Sequence, residues 1–219
     1  MGEMGLRERK KRRMYEDVSD TAVRLFLAKG FDAVSVAEVA AAAGISKPTL
    51  FRYFPAKEDL VLHRIADHET EAARLVAGAG SPVAVLRDHF LDGLRRGDPI
   101  TGLNDHPQVL AFHTLLNSTP TLVARQYAYL ERSEAALAEA LGGTLDARLA
   151  AGQIIAVQRI LARDNWRRIA GGERVEDVRE DAVRAAERAF GRLAAALAAA
   201  DGPDEPDEPV EPDESEENI

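Results

Sequence analysis

The chain has 219 residues, a formal net charge of -9, 46% apolar and 5% aromatic residues, and no cysteine. That length can bury a core as one large or two small domains. The missing cysteine excludes disulfides, thiolate nucleophiles and thiolate-bound zinc and suits a reduced, cytoplasmic setting. No apolar run approaches membrane-spanning length, and the basic N-terminus lacks the apolar stretch of a signal peptide, so a soluble protein without a membrane partner is expected.

The net charge is unevenly spread. Residues 201–219 carry ten acids and no base, leaving 28 bases against 27 acids in residues 1–200. Within residues 1–57 there are eleven bases and seven acids, net +4, whereas residues 58–200 sum to -3. Positive charge gathers at one end, which suits a polyanionic partner there.

No period-2 alternation is sustained, and alanine is abundant, so an all-α chain is predicted. A first helix is expected over residues 11–28, burying Val18, Ala22, Leu25 and Phe26, behind a basic arm at residues 7–13, RERKKRR. That arm reads as extra phosphate or minor-groove contact, or as a solvated start. Lys29 and Gly30 end the helix, the cation facing the carbonyl end and the glycine supplying the left-handed residue beyond. Ser35-Val36-Ala37-Glu38 is a capping box, with Val34 and Val39 spaced as its hydrophobic staple. Gly44 ends this second helix; a third begins at about Pro48 and closes at Phe54, before Pro55.

Further helices are expected from near Lys57, Val83, Pro107, Pro120, Leu145 and Glu176, separated by Gly- and Pro-containing breaks. After Ala200 the composition turns to Asp, Glu and Pro, which reads as a disordered acidic tail over residues 201–219.

Residues 36–54 have the dimensions of a helix-turn-helix. Ala40, Ile45, Leu50 and Phe54 are the expected inward residues, with Lys47, Thr49, Arg52 and Tyr53 outward. An arginine fork suits guanine O6 and N7, and lysines at either end suit phosphates. Periodicity alone equally allows an amphipathic helix with a solvated face.

The stretch LFLAKGFDAVSVAEVAAAAGISKPTLFRYFPAKEDL resembles the N-terminal domain of the TetR family of transcriptional regulators, over about fifty residues in unbroken register. The resemblance implies an all-helical homodimer, most often a repressor, on a near-palindromic operator in double-stranded DNA. A three-helix DNA-reading domain would occupy residues 1–57 and a helical ligand-sensing and dimerisation domain residues 58–200. It places Lys47, Pro48, Thr49, Phe51, Arg52, Tyr53 and Lys57 at DNA, with Ser35 and Val36 at the backbone-facing start of the second helix. Phe51 stands where tyrosine is common and Ala37 where some members carry a polar residue, so neither position offers the polar group found there in those members. Base discrimination then falls mostly on Lys47 and Arg52.

In the second half, residues 149–162 are polar only at Gln153, Gln158 and Arg159, so that helix is expected to be buried on more than one side. Val183, Ala186, Phe190, Leu193 and Leu197 form a 3-4-3-4 seam suited either to the core or to a partner helix. By family analogy Ile154, Val157 and Leu161 join that seam in a four-helix dimer interface. Phe90, Phe112, His113, Leu116, Tyr127 and Gln158 combine apolar bulk with polar handles and are the candidate lining of an effector cavity. No convergent charge names the ligand, so a small, mainly apolar effector is expected. It would act by shifting the helix that starts near Lys57, thereby changing the spacing of two DNA-reading heads.

Two other classes fit the residues less well. For an enzyme, His63 and Asp67 make only half a metal site, with no HExxH or G-x-S-x-G beside them, and no cofactor is called for. For a protein-pairing helical module, the basic N-terminal end argues against it.

Overall fold

A computed structural model describes residues 6–66 and 68–200. The described residues form ten α-helices and one 3-10 turn. Local start signals set most boundaries. Proline opens α6 (Pro82–Arg96), α7 (Pro107–Ser118) and α8 (Pro120–Ala140), where its missing N–H costs nothing. Thr144 caps α9 (Leu145–Ala170), its hydroxyl accepting from the Ala147 amide at 3.1 Å. The last helix, α10, spans Val175–Ala200.

The N-terminal half is built from α1 (Leu6–Lys29), α2 (Val36–Ala42), α3 (Lys47–Tyr53) and α4 (Asp59–Ala66). Helix α1 starts five residues earlier than expected, so the basic run is its opening turns and not a separate arm. Of that run, the side chains of Arg9 and Arg13 are exposed, and those of residues 7, 8 and 10–12 lie outside the described residues, as does the predicted acidic tail. Val18, Ala22, Phe26, Phe31, Val34, Val39, Leu50, Phe54 and Leu60 pack together, joined by Leu116 of α7 and Leu122 of α8.

One expectation about α2 holds only by half. Ser35 Oγ accepts from the Glu38 amide at 3.1 Å and Val34 and Val39 are fully buried. The Glu38 carboxylate, however, takes the ammonium of Lys29 instead of reaching back to Ser35. The cation at the end of α1 offers it a full charge, which outbids a backbone dipole.

The single helix expected from Lys57 is interrupted. After α4 the chain turns through residues 68–70 before α5 (Glu71–Val76). Contacts accompany the break where glycine and proline do not: Glu69 accepts from Arg132 of α8 at 2.9 Å and His68 Nδ1 lies 2.8 Å from Glu71. A second unforeseen element is the 3-10 turn Pro99–Thr101 between α6 and α7. It is tied to α9 by Asn165, whose buried Nδ2 donates to the Thr101 carbonyl at 2.9 Å.

The larger core joins α5, α6, α8, α9 and α10. The seam expected on the last helix packs largely into this core. Ala186 and Phe190 are 0% exposed and Leu193 is 6% exposed within one chain, and the Phe190 ring lies 6.1 Å from that of Phe90 on α6. Ile154 is buried too, while Val157, Leu161, Val183 and Leu197 are partly buried against the same core. A 3-4 spacing shows that a helix has an apolar face; it does not say what covers it. The face left bare is on α9, where Leu145, Leu149 and Ile160 are 61%, 54% and 57% exposed. No described helix is long and apolar enough to cross a membrane.

Candidate nucleic-acid interface and internal cavity

Helix α3 is short, and its orientation is set at both ends. Gly44 turns the chain with φ +68°, a left-handed conformation that side chains resist. Ser46 then caps the helix, its Oγ accepting from the Thr49 amide at 3.2 Å and lying 2.7 Å from Thr49 Oγ1. The sequence reading missed this cap, although a serine two residues before Pro48 was its signal. Leu50 and Phe54 are 1% and 2% exposed and lock one face into the core. Lys47, Pro48 and Arg52 are exposed on the other, and Phe51 is 42% exposed beside them.

The remaining predicted contacts are arranged less simply. Tyr53 is half-buried, its ring edge-on to Tyr15 of α1 at 5.0 Å. Its hydroxyl accepts from Arg52 Nη2 at 3.2 Å, so the guanidinium lies along the phenol and both present one edge outward. Lys57 turns inward: its ammonium donates to the Phe31 carbonyl and sits 4.4 Å from the Phe31 ring centroid. That gives Lys57 a task in the fold before any phosphate arrives. Thr49 and Val36 are half-buried and Ser35 is exposed. His63 stacks on Tyr15 at 5.2 Å, and Asp67, the other half of the suggested metal pair, lies outside the described residues.

A cavity of about 580 Å³ opens between α5, α6, α7, α8 and α9, within the usual range for a small organic ligand. All six candidates, Phe90, Phe112, His113, Leu116, Tyr127 and Gln158, line it. The His113 Nε2 lies 3.1 Å from the Pro99 carbonyl, which fixes the proton on that nitrogen and leaves Nδ1 as an acceptor. Burial pushes its imidazole below the ordinary histidine range, so the ring is neutral near pH 7. Burial likewise holds the Tyr129 phenol on the same wall above its usual value. Arg163 and Trp166, one turn apart on α9, also line the cavity and carry buried, unpartnered Nε and Nε1 atoms. Neither was foreseen; heptad position does not reveal which helix face a cavity will occupy.

Residues 19–63 match the family model for bacterial regulatory proteins of the tetR family. These residues are similar to the N-terminal region of TetR-family regulators. The chain is 35% identical over 136 residues to the HTH-type transcriptional regulator TcmR of Streptomyces glaucescens, covering 59% of this chain and 58% of that one. It is 39% identical over 71 residues to MftR of Mycobacterium tuberculosis, covering 32% and 35%. The chain thus spans little more than half the length of the first of these relatives and about a third of the second. Among solved structures, NalD of Pseudomonas aeruginosa, the secondary repressor of a multidrug efflux pump, superposes with a TM-score of 0.55 at 17% identity. That match covers 82% of this chain and 96% of NalD, and at such identity it speaks for the fold.

In this chain the two halves are joined by a partly buried ionic clamp, with the carboxylate enclosed and the arginine at the surface. Asp59, 7% exposed at the start of α4, accepts from Arg125 Nε at 3.0 Å and Nη2 at 3.1 Å, and from the Ala56 amide at 3.0 Å. Arg125 belongs to α8, whose next residues, Gln126, Tyr127, Tyr129 and Leu130, line the cavity. Helix α4 is in turn fastened to α1, since Ser19 Oγ donates to the Leu60 carbonyl at 2.7 Å and Arg64 pairs with Asp20. The bidentate pair, constrained in both distance and plane, thus links α8, which walls the cavity, to the block that holds α3.

Proposed function

We propose that the protein is a homodimeric transcriptional repressor that reads a near-palindromic operator in double-stranded DNA with α3 and is released when a small effector fills the cavity. The observation that carries this reading is the exposed edge of α3, where Lys47 and Arg52 stand over a face locked by Leu50 and Phe54. Lys47 suits a phosphate; the Arg52 fork, oriented by Tyr53, suits a guanine edge. The exposed positions of Ser35 and Ala37 leave α2 free to lie along the backbone.

For the dimer, the bare stripe of Leu145, Leu149 and Ile160 replaces the buried seam on α10 as the pairing surface. These residues follow one face of α9, and burying them against a two-fold copy removes apolar area from water. Two α3 helices would then lie about one DNA turn, roughly 34 Å, apart or at a multiple of it. The double variant Leu149→Glu/Ile160→Glu is expected to run as a monomer in sedimentation while melting within a few degrees of the parent. A dimer that survives the two charges places pairing elsewhere.

Effector release follows from the clamp between Asp59 and Arg125, with an expected coupling of about 1–3 kcal/mol between cavity and operator. The whole reading is tested by selecting genomic fragments with the purified full chain. Recovered fragments should share a near-palindrome, and log affinity should fall linearly with log salt as counterions are released. Fragments without a common half-site, or salt-independent retention, would defeat it.

A further inference from the structure

The charged side chains around the cavity are unequally matched. Glu69 is held by Arg132 at 2.9 Å, Glu71 by His68 at 2.8 Å, and Asp98 receives the Ile100 amide at 3.1 Å with Arg96 at 3.7 Å. Arg64, at the rim, is taken by Asp20. Arg159 and Arg163 also line the cavity, half-buried, and among the described residues neither has an ion-pair or hydrogen-bond partner. They are four residues apart on α9, with Trp166 three further on, so all three share one face of that helix. Arg163 Nε and Trp166 Nε1 are the two buried side-chain polar atoms without a partner among the described residues.

Every one of these orphaned groups is a donor. A buried donor without an acceptor bears its full desolvation cost, and a cation bears more than a neutral group. An orphaned buried donor calls for an acceptor, and a ligand in the cavity they line would supply it. Two guanidiniums one turn apart match a carboxylate's two oxygens, and the indole N–H adds a third donor beside them. The rest of the wall is apolar and aromatic, including Phe90, Phe112 and Ile155, which suits a ring-bearing body and not a polyphosphate.

Resting on the reading of this cavity as an effector site, we propose that its ligand is an amphipathic organic acid, with an aromatic body against Phe90 and Phe112 and a carboxylate held by Arg159, Arg163 and the Trp166 indole N–H. The expectation of a mainly apolar effector is thereby narrowed: the body is apolar and the head is an anion.

The probes are naphthalene-2-, anthracene-9- and pyrene-1-carboxylate, each beside its neutral primary amide, titrated into the full chain by fluorescence. At least one acid is expected to bind tenfold or more tightly than its amide. In Arg159→Gln/Arg163→Gln that preference should shrink below about threefold, with the amide's own affinity unchanged. Equal binding of acid and amide throughout the series, no binding by any acid, or a preference that survives in the double variant overturns the assignment. A second measurement needs no ligand. Because Arg163 is unpaired, Arg163→Met should melt at or above the parent's midpoint, and a fall of several degrees would make Arg163 a structural residue and sink the proposal. Operator binding separates the two readings. Acids that bind through both arginines without altering operator affinity keep the acid site and refute effector release. Amides that release the operator as well as acids do keep effector release and refute the acid site.

Discussion

Arg52→Ala is expected to weaken specific operator binding by between about 30-fold and 20,000-fold while leaving the melting temperature unchanged. The range follows from about 1–3 kcal/mol for each bidentate arginine–guanine pair, counted once in each half-site. The fold is spared because Arg52 is exposed and its described partner is its own neighbour Tyr53, so the core packing stays intact. Arg52→Lys separates charge from geometry. It keeps the cation, hence nearly the parent's salt dependence, but a point charge cannot make the planar fork, so preference between operator and scrambled duplex should collapse. Lys47→Ala should do the converse, lowering affinity for all duplexes alike and reducing the salt slope by about one for each phosphate left without its cation. Fluorescence anisotropy at several salt concentrations measures all three. If Arg52→Ala retained full discrimination, base reading would have to move to Lys47, Thr49, Tyr53 or α2.

Gly102→Ala is expected to be the most damaging conservative change in the sensing half, costing about 3–5 kcal/mol of stability or preventing folding. Gly102 follows the 3-10 turn with φ +72°, a conformation that costs any other residue. A methyl group there would stand 1.9 Å from the Ala162 carbonyl oxygen and 2.9 Å from the Trp166 amide nitrogen. Both are backbone atoms of α9, so no rotamer change relieves the clash; the helix or the turn must move. For a chain of this size that loss corresponds to a fall of roughly 6–20 °C in melting temperature, readable by circular dichroism. Ala162 and Trp166 also line the cavity, so any surviving fold should bind cavity probes poorly. A variant melting within two degrees of the parent would mean that the loop and α9 are not in contact as described.

These two changes mark opposite regimes. Arg52 contributes nothing visible to the core and is expected to matter only with DNA present. Gly102 is not itself part of the cavity lining and is expected to matter because backbone meets backbone. Arg163 stands between them, a group whose unpartnered Nε is expected to cost stability in the free protein, as binding sites commonly do.

Where most helices start, and which face of α3 is free, could be read from the residues alone. Ser35, Pro107 and Pro120 act on backbone groups within one turn, and Leu50 and Phe54 share a face by helical period, so no distant partner is needed to read them. The motif around residues 30–58 was legible for the same reason, being contiguous. Whatever depended on a second element became visible only in the folded chain. Phe190 meets Phe90 of α6 within the chain, the Glu38 carboxylate leaves its own cap for Lys29, and Lys57 folds in over Phe31. The break after α4 coincides with Glu69 meeting Arg132, sixty-three residues away. Arg163 is an ordinary polar residue on a long helix until α6 and the 3-10 turn enclose a space beside it. Local hydrogen bonding is written into neighbouring residues, whereas the burial of a face and the pairing of a charge belong to whatever the rest of the chain brings against it.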